Sequence, residues 1–209
     1  MHTAAESHLS SVCPLMRRLI KSHGPCTLEI AERSPWEALV SAIAHQQLNG
    51  KAAMSILNRF RALYPGGKFP KPATVLATPV ETLRGAGFSG SKIAAIRDLA
   101  EKTAAKIVPT RAAALKLADE ALIERLIAVR GVGRWTVEML LIFTLGRGDV
   151  FPCDDFGVRA GYRVVNKLPD MPKPKDLREI ALRWQPHRTL AAWYLWRAAD
   201  AAKGDPAGK

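Results

Sequence analysis

Residues 126–136 read Leu126-Ile127-Ala128-Val129-Arg130-Gly131-Val132-Gly133-Arg134-Trp135-Thr136. Two glycines two positions apart interrupt an otherwise helical pattern. Before them, Leu122, Ile123, Leu126 and Val129 recur at helical spacing behind Asp119, which reads as a helix cap. After them, residues 134–145 are apolar nearly all round, with Val137, Met139, Leu140, Leu141, Ile142 and Phe143, the mark of a central buried helix. The glycines allow a tight turn and leave backbone N–H groups bare for close approach to an anion. The second helix starts near Arg134, so its positive dipole end points the same way. A Gly-x-Gly alone is more often an ordinary turn between helices. Its setting, between a capped helix and a nearly all-apolar one on a basic chain, favours a phosphate grip that does not read bases.

Outward from this hairpin the chain keeps the same period. Ser34-Pro35-Trp36-Glu37 is a helix start with a capping box, followed by Leu39, Val40 and Ile43 on one face. A second helix is expected from Lys51 to about Leu63 and ends at Pro65-Gly66-Gly67. Short helices are expected over 72–78 and 80–84, and a longer one from Ser91 to about Ile107. Three more follow at about 155–166, 174–184 and 188–200, before a Gly/Pro/Lys end at 203–209 that reads as frayed. No stretch alternates with period two, so the chain reads as all-α. The expected division is a central helical lobe over 35–150 carrying the hairpin, and a second lobe of residues 1–34 plus 151–209.

The 209 residues carry 31 Lys+Arg against 19 Asp+Glu, a net charge of +12, with 48% hydrophobic residues. This excludes a disordered polycation and fits a packed core with a basic exterior suited to a polyanion. The three cysteines are odd in number and form no CxxC pair, which argues against a disulfide framework, a zinc site or a four-thiolate iron–sulfur cluster. The five histidines include no HExxH. No apolar run approaches the length of a membrane span, and residues 1–12 lack a signal-peptide core. A reducing intracellular compartment is expected, cytoplasmic, or nuclear in a eukaryote.

Some twenty residues past the hairpin comes Val150-Phe151-Pro152-Cys153-Asp154-Asp155-Phe156-Gly157-Val158-Arg159, opening another helix. Hairpin, apolar helix, then Pro and Asp at a helix start together resemble the helix–hairpin–helix–GPD superfamily of DNA glycosylases. Within it, Gly131–Thr136 and Val150–Asp155 are similar to the 3-methyladenine DNA glycosylase II, or alkylation-repair, branch. Two further stretches extend the resemblance: Ala42-Ile43-Ala44-His45-Gln46-Gln47-Leu48 with Lys51-Ala52-Ala53, and Gly87–Lys92. The match covers roughly residues 30–200. It implies two helical lobes flanking a DNA-binding groove. An N-terminal mixed α/β domain, present in some members, is not expected, since only about 30 residues precede the first core helix.

The resemblance also implies roles. A carboxylate near the sugar stabilises an oxocarbenium-like transition state and orients water, and an Asp at a helix N-terminus is poised as that anion. The tandem-Asp branch assigns this to Asp155, with Asp154 capping or bracing it, whereas counting five residues back from Arg159, as in other branches, selects Asp154. Bifunctional glycosylase/lyase members carry a Schiff-base Lys where this chain has Trp135, and an indole cannot be that nucleophile. Base excision by water attack without lyase activity is therefore expected. Trp135, Phe156, Trp193 and Trp196 are candidates for the base pocket, since electron-rich faces attract a cationic alkylpurine; Trp193 and Trp196 suit core packing equally, and for Trp193 core is favoured. The loop Gln46-Gln47-Leu48-Asn49 would fill the gap left by the extruded base, with Gln47 or Leu48 ahead of Asn49. Gly131, Gly133, Arg134, Thr136 and Lys51 would bind DNA. His45 would narrow the groove. No cofactor is required by this chemistry, although relatives often hold Na+ or K+ on hairpin carbonyls, here Ile127, Val129 and Val132.

The reading is a monofunctional glycosylase, a monomer, excising 3-methyladenine or 7-methylguanine type lesions from double-stranded DNA, with no membrane partner. A glycosylase for an oxidised or deaminated base, or a noncatalytic helix–hairpin–helix DNA-binding protein, are the alternatives.

Overall fold

In the computed structural model, which describes residues 3–204, every regular element is helical and no strand occurs among those residues. In chain order these are α1 (Thr3–Val12), α2 (Pro14–His23), α3 (Pro35–His45), α4 (Gly50–Ala62), α5 (Pro72–Ala77), α6 (Val80–Gly85), α7 (Gly90–Ala104), α8 (Arg111–Ala114), α9 (Asp119–Leu126), α10 (Arg134–Phe143), α11 (Phe156–Val165), α12 (Pro174–Ala181) and α13 (Arg188–Ala202). Residues 205–209, most of the end read as frayed, lie outside the described residues. The chain divides into a central unit, Ala31–Leu145, and a terminal unit built from both chain ends, up to Ile30 and from Gly146 on.

The central unit follows from the caps and stripes of its sequence. Ser34 accepts a hydrogen bond from Glu37 N at 3.2 Å, and Pro35 fits the first turn of α3 because no N–H is needed there. Trp36, Leu39, Val40 and Ile43 then face inward. Asn49 caps α4 through Ala52 N, and Ser89 caps α7 through Lys92 N. Phe60 is fully buried and meets Tyr64, Phe69 and Phe88 edge-on at centroid distances of 5.4–5.8 Å. The expected cap at Asp119 shifts by one residue: Ala118 occupies the cap position and Asp119 stands in the first turn of α9. There its charge still complements the dipole. In α10, Val137, Leu140, Leu141 and Ile142 are buried, as the all-round apolar pattern requires.

The terminal unit holds two helices that the sequence pattern did not reveal, α1 and α2. α1 buries only Leu9, too little for a readable stripe, and a polar anchor fastens it instead. Glu6 accepts from Cys26 N at 2.8 Å and from the Tyr194 hydroxyl at 2.9 Å, tying the N-terminal segment to α13. Helices α11 and α13 cross in intimate contact. A Cβ at Gly161 would lie 1.9 Å from the backbone oxygen of Leu195, so only glycine permits this approach. Cys13, Cys26 and Cys153 are all buried in this unit's core, and burial pushes the Cys26 thiol up to about 11.

Candidate active site

In the central unit the hairpin occupies residues 127–133, between α9 and α10. Gly131 has φ +74°, the left-handed region that glycine enters without steric cost. Gly133, by contrast, is extended at φ −97°, and a Cβ there would meet nothing within 4 Å. Its value is the absence of a side chain: Gly133 occupies the cap position of α10, and no side chain caps that helix. A helix start presented in this way, over open space, suits a phosphate. The turn is pinned from α7, where Asp98 Oδ2 accepts Arg130 N at 2.7 Å and Lys102 Nζ lies 2.6 Å from Oδ1. Burial alone would push the Asp98 carboxyl up, but the Lys102 ammonium and the Arg130 N–H outweigh it and hold it below the usual carboxylate range.

Beside the hairpin lies a cavity of about 940 Å³ whose lining includes His45, Gln47, Lys92, Trp135, Thr136 and Met139. Trp135 is 46% exposed, so its ring can receive a ligand rather than fill the core. Lys92 Nζ donates to Ala44 O at the end of α3 at 2.8 Å, and burial lowers its pKa. His45 Nδ1 lies 2.8 Å from Ser41 O.

Between α3 and α4, Gln47 adopts φ +56°, a left-handed conformation uncommon for a non-glycine residue, and its side chain is exposed, as is that of Leu48. Asn49 is not suited to the plug role, because its Oδ1 caps α4.

The other expected DNA contacts divide. Lys51 is exposed in the first turn of α4, where a cation opposes the helix dipole, so helix stability does not explain it. Arg134 is held by Glu120 through both guanidinium nitrogens rather than presented alone. Thr136 is 5% exposed and belongs to the cavity wall, not the outer surface, because it falls on the inward face of α10.

In the terminal unit, Asp155 is the N-cap of α11. Its Oδ1 accepts Val158 N at 2.8 Å and Trp196 Nε1 at 2.7 Å, and the residue is 9% exposed. Gly157 makes room for the indole, since a Cβ there would lie 2.7 Å from Trp196 Cδ1. Asp154 does not cap α11, because the cap position falls one residue later; its side chain is exposed. The bracing role falls to Trp196, whose Nε1–H is turned to the carboxylate and whose ring is half-buried. Trp193 lies in the terminal core, the reading favoured for it: it is 8% exposed, edge-on to Tyr194, with Arg197 over its ring at 5.6 Å. Phe156, next to Asp155, is 67% exposed. No cluster of three or more His, Cys, Asp or Glu suited to a metal ion occurs among the described residues, and no described helix is long and apolar enough to cross a membrane.

An all-helical chain with a glycine hairpin and a cap-position aspartate held by an indole defines a class. Residues 40–187 match the HhH-GPD superfamily of base excision DNA repair proteins, and the chain belongs to that family. Among relatives, it is 42% identical to DNA-3-methyladenine glycosylase 1 of Schizosaccharomyces pombe over 96% of this chain and 89% of that protein. The solved structure of the Schizosaccharomyces pombe 3-methyladenine DNA glycosylase in complex with abasic DNA superposes with a TM-score of 0.84, covering 93% of this chain and 95% of that one. A DNA-3-methyladenine glycosidase from Bacillus halodurans gives a TM-score of 0.84 at 32% identity, covering 95% and 89% of the two chains.

Proposed function

We propose that the protein is a monofunctional DNA glycosylase that extrudes an alkylated purine, 3-methyladenine or 7-methylguanine in type, from duplex DNA and releases it by water attack. The observation that carries this reading is the Asp155 carboxylate, fixed by the Val158 amide and the Trp196 indole. A carboxylate so oriented stabilises the oxocarbenium-like sugar as the glycosidic bond breaks and directs the water that replaces the base. Trp135 supports the absence of a lyase step, since its indole offers no amine to form a Schiff base. The same exposed ring attracts a base that methylation has made cationic.

In this reading Gly131 and Gly133 hold the backbone phosphate and Lys51 adds charge. Gln47, with Leu48 beside it, fills the gap in the stack. The protein acts as a monomer. A sodium or potassium ion on the carbonyls of Ile127, Val129 and Val132 is compatible with the turn: Val129 O accepts Val132 N at 3.0 Å, and a carbonyl oxygen has two lone pairs.

Incubation with methylated duplex, followed by chromatography of the released base, tests the proposal. Release by the parent protein with none by Asp155→Asn is the expected result. Release from an oxidised or deaminated single-lesion duplex instead would reassign the substrate, and no release from any duplex would leave a DNA-binding module.

A further inference from the structure

The turn between α3 and α4 and the hairpin are far apart in sequence, yet one side chain joins them. Gln46 Nε2 donates to Gly131 O at 2.8 Å, spanning 85 residues. That carbonyl shares its peptide group with the Val132 N–H, which donates to Val129 O at 3.0 Å, so the peptide plane between Gly131 and Val132 is fixed at both ends. Asp98 fixes Arg130 N, in the same peptide group as the Val129 carbonyl that accepts Val132 N. On the other side, the turn has four residues between two helices. Lys92 holds Ala44 O at its start, and Asn49 caps α4 at its end. Between them Gln47 keeps its left-handed φ of +56°. A non-glycine residue persists in that conformation only where its surroundings over-determine it.

We infer that Gln46 is a positioning residue that yokes the turn carrying Gln47 and Leu48 to the hairpin, so that insertion into the base stack and the hold on phosphate are coupled rather than independent. This rests on the reading above that the turn enters DNA while the hairpin grips the backbone. With the Gln46 side chain engaged on the hairpin, insertion is left to its neighbours. A hairpin seated on phosphate keeps the Gly131 carbonyl in place, and through Gln46 that holds Gln47 in its presenting conformation.

Two measurements test the yoke. The first is a double-mutant cycle on the Kd for a duplex with one abasic site, combining Gln47→Ala with Gly133→Ala. The second substitution is chosen because a Cβ at Gly133 meets no protein atom yet covers the start of α10. With Gln46 present, the double variant should lose less affinity than the product of the singles, by about threefold or more. In the Gln46→Met background the losses should simply multiply. Equal coupling in both backgrounds, or none in either, overturns the inference.

The second measurement uses no DNA: amide hydrogen exchange over peptides covering 44–50 and 128–134. Gln46→Met should speed exchange in both peptides together, and Gln46→Glu more so, because an isosteric carboxylate would face a carbonyl oxygen. A role in filling space would leave Gln46→Glu like the parent, and faster exchange in one peptide alone overturns the yoke. If exchange shifts as expected while the parent neither binds the abasic duplex nor excises a base, the proposed function fails and the yoke stands.

Discussion

Replacing Asp155 by asparagine separates its place as the cap of α11 from the proposed work of its charge at the sugar. Asparagine caps helices as well as aspartate does, so α11 should remain intact and binding to an abasic duplex should survive. Base release should fall by about 10² or more, to none detectable by chromatography, if the proposed reaction needs that negative charge. Asp154→Asn should release base at close to the parent rate, because that side chain is exposed and caps nothing. Trp196→Phe keeps the ring but removes the donor to Oδ1; single-turnover assays should give about tenfold slower release with little change in KM. The pair Asp154-Asp155 stands out because aspartate at a helix start is a local pattern, and the choice of Asp155 within it comes from the family resemblance. The sequence could not point to Trp196 as the brace, since that hydrogen bond spans 41 residues and depends on a glycine at 157 to admit the indole. Trp193 and Trp196 stand three residues apart on one helix; the core reading of Trp193 holds, and the contacts of Trp196 with Asp155 and Gly157 emerge only from the packing of α11 against α13.

Among the elements, the hairpin depends on a charge placed on α7. The Asp98 carboxyl titrates below its ordinary range in the folded protein, so its stabilising contribution is fully present above the unfolded value and is lost as pH falls through the folded one. Asp98→Asn should therefore lower the denaturation midpoint at neutral pH, and the difference from the parent should vanish in acid, below the usual carboxylate range. Denaturant titrations of both proteins across that window check this. Helices with strong caps and apolar stripes, such as α3, α4 and α7, were readable from residues alone. α1 and α2 were not. α1 docks through the Glu6 carboxylate and a single buried leucine, and neither leaves a period in the sequence.

Across the whole molecule, the net charge of +12 favours a polyanion but does not give the size of a DNA interface. Arg134 is already paired with Glu120, and Arg188 with Asp149 at 2.8 Å, so counting cations overstates what can meet phosphate. About six phosphate contacts would give a slope near −5 when log affinity is plotted against log salt. Lys51→Ala should reduce the steepness of that slope by about 1, with a uniform loss across sequences. Stability belongs to other residues. Gly161→Ala forces a Cβ against the Leu195 backbone oxygen and should lower the unfolding free energy by about 3 kcal/mol or more, read from the thermal midpoint.

The glycines thus fall into two kinds that a random-mutagenesis survey would sort without any structure. Changes at Gly161 would show up as protein lost to aggregation or proteolysis, whatever the DNA offered. Changes at Gly133, where nothing in the protein obstructs a methyl group, would yield well-behaved protein that fails only when a damaged duplex is supplied.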